Sequence, residues 1–183
     1  LDAPDPDTWV GQRDRALLTV LYNTGARVSE AVGLRVRNAV LDGSPCVHIR
    51  GKGRKQRSVP LWRSTAALVR SWKKRLGPVA DDGPLFPNRD GAAMTRSNVT
   101  QRLGLYARAA ATSQPQLLGR PISPHTIRHT TAMHLLQSGV DITVIALWLG
   151  HESPATTHMY VEADLSMKER ALSRLQPSDC ATP

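Results

Sequence analysis

Helical periodicity gives way to short extended segments in one interval of this chain, between residues 36 and 61, with helical segments on both sides. In that interval the reading is three short extended pieces, Val36–Leu41, Cys46–Arg50 and Arg57–Leu61, parted by Asp42-Gly43 and by Gly51-Lys52-Gly53. Elsewhere the segments carry helix start and stop signals. A first helix is expected from Asp7 or Thr8 to Thr24, closed by Gly25, and a short one from Ser29 to Gly33. Ser64–Leu76 is helical and closed by Gly77-Pro78. Residues 77–94 read as a long loop anchored by Leu85-Phe86, followed by a helix over 95–111 and a second loop, Thr112–Pro121. Ser123-Pro124 opens a helix that runs to Gly139, with Ser at the N-cap and Pro at the first helical position. Asp141 caps Ile142–Leu149, which Gly150 stops. Two more helices are expected, one from Ser153-Pro154 that includes Thr156–Tyr160 and one from Asp164 to Leu175, before a loose tail from Pro177. The fold class is therefore mainly α with a small antiparallel β-sheet of two or three strands (α+β).

The 183 residues correspond to one domain with a core of its own. No apolar run is long enough for a membrane span, and Leu1-Asp2-Ala3-Pro4-Asp5 is not a signal peptide. Two cysteines, Cys46 and Cys180, cannot make a disulfide framework. Charge is more informative. The chain has 24 Lys+Arg against 15 Asp+Glu, a formal net charge of +9. Residues 50–75 hold ten basic side chains and no acid, and from Gly83 to Val140 the only acid is Asp90. A cationic middle of this extent points to a polyanionic partner, because neutralising phosphates releases counterions. Aromatics are only 4%, which disfavours a single-strand binder built on base stacking.

The motifs narrow the chemistry by exclusion and then by combination. The GxxxxGK[ST] and GxGxxG spacings are missing, and Glu152 is not followed by the remainder of an HExxH zincin motif, so no nucleotide cofactor or metal is expected. What remains is an ordered set: Thr24-Gly25-Ala26-Arg27-Val28-Ser29-Glu30, then Gly51-Lys52-Gly53, then His125-Thr126-Ile127-Arg128-His129, then Leu149-Gly150-His151, then Tyr160. Two arginines can clamp phosphodiester oxygens. Histidines can donate to those oxygens or move a proton, and a tyrosine hydroxyl can attack phosphorus. Each residue alone also has a plain structural reading: Arg27 as a helix-end cation paired with Glu30, His125 and His129 as surface or core residues, His151 as a helix cap, Tyr160 as packing. The combination is more specific than any part.

That ordered set resembles the tyrosine recombinase, or phage integrase, family, and within it the Xer-like bacterial recombinases and integrases of mobile elements. The resemblance runs from about Asp14 to Leu175. It implies that Arg27 and Arg128 are the two catalytic arginines, Lys52 the hairpin lysine, His125 and His151 the two histidines, and Tyr160 the nucleophile. Lys55 lies on the same turn as Lys52 and competes with it for that role. Glu30 is implied to support Arg27, and His129 to pack rather than react. Arg54, Lys55, Arg57, Arg96 and Arg102 are the expected DNA-binding cations. The implied activity is metal-independent cleavage and rejoining of duplex DNA through a 3′-phosphotyrosyl intermediate, without cofactors or a small-molecule substrate. A type IB topoisomerase-like enzyme shares this chemistry, and a DNA-binding module with a vestigial site is the non-enzymatic alternative. Residues 1–176 are expected to be the catalytic domain and 177–183 a flexible tail, with the family's N-terminal core-binding domain missing. The implied setting is the bacterial cytoplasm, at the nucleoid, as a monomer that becomes a homo-oligomer (tetramer) on DNA. The Thr112–Arg120 connection and the Val161-Glu162-Ala163-Asp164 continuation both depart from the family pattern.

Overall fold

The computed structural model describes residues 1–51, 53 and 55–151. Within them, helix α1 (Trp9–Thr24) is the axis of the molecule. The Thr8 hydroxyl caps it by accepting from the Gly11 N–H, and Gly25, in the left-handed conformation, ends it by donating to the Leu21 carbonyl. Eleven of its sixteen residues are buried, and it packs against both α3 (Arg63–Leu76) and α5 (Pro124–Gln137). Helix α2 (Val28–Val32) follows after only three residues, with Arg27 as its N-cap.

The sheet has three antiparallel strands in sequence order, β1 (Ala39–Val40), β2 (Cys46–Arg50) and β3 (Gln56–Pro60). Its inward face is set by alternation: Val47, Ile49 and Val59 are fully buried. In the register Ile49 opposes Arg57 and Val47 opposes Val59, so Arg57 stands on the buried face. The expected strand Val36–Leu41 is a 3₁₀ turn, Val36–Asn38, followed by two strand residues. The Asn38 side chain accepts from the Arg35 N–H, while the Val36 and Arg37 N–H groups donate to the Gly83 and Asp81 carbonyls. These bonds replace a ladder there.

Helix α3 is amphipathic, burying Thr65, Ala66, Val69 and Trp72 and leaving most of its basic side chains exposed. Lys73, Lys74 and Arg75 fall in its last turn, where cations suit the helix dipole. Trp72 meets Trp9 edge-on and donates to the Leu85 carbonyl, which fixes Leu85-Phe86 as the anchor of the long loop. Helix α4 (Arg96–Ala111) starts at a Thr95 capping box and contributes Val99 and Leu103 to the main core. The second loop contains a 3₁₀ turn, Pro115–Leu117. Helix α5 begins at the Ser123 N-cap with Pro124 at its first position and stops at Gln137, two residues before the expected Gly139. Helix α6 (Ile142–Leu149) is capped by Asp141 and closed by Gly150, as its sequence signals indicate. A smaller apolar cluster of Ala132, Leu136, Ile145 and Leu149 joins α5 to α6. The two helices expected beyond Ser153 and the tail from Pro177 lie outside the described residues.

Candidate active site

The site is built where three helix ends meet: the C-terminus of α1, the head of α2 and the C-terminus of α6. A Cβ at Gly25 would lie 2.4 Å from the Leu149 Cδ2, so glycine is required there both for its φ of +59° and for this close approach. Arg128, on α5, straps the two helix ends together. Its guanidinium donates to the Gly25 carbonyl (2.5 Å) and to the Leu149 carbonyl (2.9 Å), and the residue is 5% exposed. A cation between two helix C-termini is favoured by both dipoles.

Arg27 and Glu30 form the second part. The Glu30 carboxylate reaches back to the Arg27 N–H (2.9 Å) and pairs with the Arg27 guanidinium (3.2 Å). It also takes a two-pronged contact from Arg57, at 3.2 and 2.7 Å. Burial alone would raise the Glu30 carboxyl; the hydrogen bonds from Arg57 and the Arg27 backbone, with the two guanidinium charges, outweigh it and hold the group below the ordinary carboxylate range. The Glu30 side chain is almost inaccessible, whereas 46% of the Arg27 side chain remains exposed. Glu30 is thus consumed by the protein, and Arg27 keeps a face toward solvent.

His151 is the third part. Its backbone N–H donates to the Ala146 carbonyl, which places the imidazole just beyond the α6 cap. Burial and then the charges of Arg128, Arg27 and Arg57 push its pKa down to about 4, so the ring is neutral at pH 7. Three guanidinium groups from three separate elements therefore act on one imidazole. Arg27, Glu30, Lys55, Arg57 and His151 line one cleft of about 840 Å³, together with Arg50 and Gly51 at the hairpin. Cations outnumber the single carboxylate in this cleft, and a tetrahedral oxyanion is the ligand that such a set suits.

The other expected residues are distributed as follows. His125 is exposed on the first turn of α5, one turn before Arg128. His129 is exposed rather than packed as expected. Arg96 is exposed at the start of α4. Arg57, expected as a DNA-binding surface cation, is instead held inward by Glu30 and by the Trp148 carbonyl. Arg102 is engaged elsewhere, by the Asp14 carboxylate and the Tyr106 hydroxyl, beside a separate hollow lined by Trp9, Leu105 and Tyr106. Lys52, Arg54 and Tyr160 lie outside the described residues. The structural role of Arg57 was detectable from strand alternation, because it shares the parity of buried Val59. Among the described residues no group of three or more His, Cys, Asp or Glu is placed to hold a metal ion, and no helix is long and apolar enough to cross a membrane.

Comparison with known proteins follows the same outline. The model of the "Phage integrase family" matches residues 3–167. The "Putative integrase/recombinase y4rC" of Sinorhizobium fredii is 44% identical over 177 residues, which is 97% of this chain and 53% of that protein. Tyrosine recombinase XerD of Pseudomonas aeruginosa is 40% identical over 164 residues, 87% of this chain and 53% of the relative. Among solved structures, the XerH site-specific recombinase bound to a palindromic difH substrate in a post-cleavage complex superposes with a TM-score of 0.76. It shares 29% identity, over 92% of this chain and 47% of that one. The chain thus spans about half the length of the relatives it matches.

Proposed function

This chain belongs to the phage integrase family, and from that premise we propose that it is the catalytic part of a site-specific DNA recombinase that cleaves and rejoins duplex DNA. The observation that carries this reading is the cation-rich cleft lined by Arg27, Arg50, Lys55, Arg57 and His151, with Arg128 strapping the Gly25 and Leu149 carbonyls behind it. A scissile phosphate seated there would meet the exposed face of Arg27, the Arg128 guanidinium and a neutral imidazole able to donate to a non-bridging oxygen. Such preorganised donors, aimed at charge that develops in the pentavalent transition state, are the largest source of rate. His125 completes the set from the first turn of α5.

In this mechanism Tyr160 Oη forms a bond to phosphorus as the bond to the 5′-oxygen breaks. Lys52 gives that oxygen its proton, releasing a 5′-hydroxyl and leaving a 3′-phosphotyrosyl ester. The phenolic proton passes to solvent or to His151, and the neighbouring cations favour the phenolate. Rejoining is the same displacement reversed. The ester keeps the bond energy, so the reaction consumes no cofactor. Residues 1–176 act as the catalytic domain on duplex DNA, in the bacterial cytoplasm, with four copies assembled on the recombining sites. Lys55, Arg50 and Arg96 are surface cations available to flanking phosphates.

The test is covalent trapping. The chain, and the longer protein that contains it, are incubated with a nicked duplex whose cleaved end diffuses away. A protein–DNA adduct is expected with wild type and none with Tyr160→Phe. Absence of adduct from both wild-type proteins overturns the proposal.

A further inference from the structure

We propose that Arg57 is the positioning residue of this cleft: it supplies the counter-charge for Glu30, which leaves Arg27 free to grip a phosphate, and it locks the β2–β3 hairpin to the turn that carries His151. This inference rests on the recombinase reading for its consequence in cleavage, and on the geometry below for the arrangement itself.

Arg57 uses all three guanidinium nitrogens in two directions. Nη1 and Nη2 grip the two Glu30 oxygens at 3.2 and 2.7 Å, and Nε donates to the Trp148 carbonyl at 2.9 Å. Its side chain is 13% exposed, against 46% for Arg27. Two arginines therefore share one carboxylate unequally. The buried, two-pronged partner neutralises it, and the half-exposed partner retains its charge for a ligand. The guanidinium also lies against the backbone of Gly150. A Cβ there would come within 2.7 Å of Nη1, and φ at this glycine is +67°. Both features leave glycine as the residue that lets Arg57 lie against the end of α6. Through these contacts one side chain joins β3, the head of α2 and the end of α6, the three elements that supply the hairpin cations, Arg27 and His151. Lysine offers a point charge without the fork, so it cannot hold Glu30 and Trp148 together.

The experiment measures single-turnover cleavage at saturating nicked duplex for wild type, Arg57→Lys, Arg57→Gln, Glu30→Gln and the double variant Glu30→Gln/Arg57→Gln. Misplacement of the gripping groups predicts that Arg57→Gln cleaves about 10²-fold more slowly with DNA affinity little changed. Arg57→Lys should fail to restore the rate. The double variant should be faster than the product of the two single losses, because an uncompensated Glu30 no longer competes for Arg27. In parallel, the His151 imidazole is titrated by NMR without DNA, and Arg57→Gln should raise its pKa by removing a neighbouring cation. Wild-type cleavage by Arg57→Gln, strictly multiplicative losses, or rescue by lysine overturns the proposal. Should wild type itself form no adduct, the recombinase reading fails, and the imidazole titration alone decides whether Arg57 holds the cleft together: an unmoved His151 overturns it.

Discussion

Two carboxylates in this molecule are each gripped by two arginines, and they serve opposite ends. Asp14, near the middle of α1, takes the guanidinium of Arg13 at 2.9 and 2.7 Å, then Arg102 and the Tyr106 hydroxyl on its other oxygen. Arg13 spends a further donor on the Pro87 carbonyl, and Arg102 spends one on Tyr106. Burial, and then the hydrogen bond to Asp14, raise the Tyr106 hydroxyl, which stays protonated as a donor. The cluster ties α1 to α4 and to the long loop. Glu30 has the same two-arginine grip, but Arg27 remains half exposed and shares its cleft with His151. One network ends in internal hydrogen bonds, and the other ends in a cleft with positive charge left over. In this molecule the difference lies in Arg27, whose side chain is 46% exposed, against 4% for Arg13.

The largest expected effect separates stability from chemistry. Arg128→Ala should lower strand cleavage by about 10²–10³ or more, in the range for a lost transition-state donor. It should cost about 1–3 kcal/mol of stability through the orphaned Gly25 or Leu149 carbonyl. Non-specific duplex affinity should be mostly retained; a fall in affinity that accounts for the whole loss of cleavage would move Arg128 from the chemistry to binding. Asp14→Asn should show the reverse. Breaking a buried pair by removing one partner costs about 3–5 kcal/mol. That loss is readable in denaturant unfolding, while cleavage per folded molecule stays near wild type. Cleavage falling further in Asp14→Asn than in Glu30→Gln would break the contrast between the two clusters.

Smaller effects sharpen it. Tyr106→Phe removes one neutral donor from the Asp14 cluster and should cost about 1 kcal/mol, with no change in the His151 titration. The last prediction concerns pH. His151 has a folded-state pKa depressed to about 4 from its ordinary 6.5, so between those values the unfolded chain binds more protons than the folded one. Stability contributed by the neutral ring is therefore present above pH 6.5 and lost as pH falls toward 4. His151→Gln should flatten the melting temperature over that window. Adding duplex DNA should raise the His151 pKa, because phosphate offsets the three guanidinium charges. A His151 that titrates near 6.5 in the free protein would remove the cation cluster from around it.

The ends of the helices were legible because their signals are local. Ser123-Pro124, Asp141, Gly25 and Gly150 each act through bonds within a few residues, and each stands where the sequence places it; of Asp7 and Thr8, Thr8 is the cap. The stretch 36–38 was misread because its turn is set by carbonyls some 45 positions away, at Asp81 and Gly83. On α5 it is Arg128 that is buried, while its neighbour His129 stands exposed.

For the chemistry the division is similar. From residue types, order and spacing alone come the family, the mainly helical fold with its small sheet, and the cast of Arg27, Glu30, Arg128 and His151. Which arginine grips a ligand and which is spent on the protein was decided by packing. Arg57 and Arg102 look alike as basic residues in a basic stretch, yet one is drawn onto Glu30 and the other onto Asp14, partners 27 and 88 positions away. A side chain's charge is written at its own position, but what remains of that charge for a ligand depends on which carboxylates and carbonyls the folded chain brings within reach.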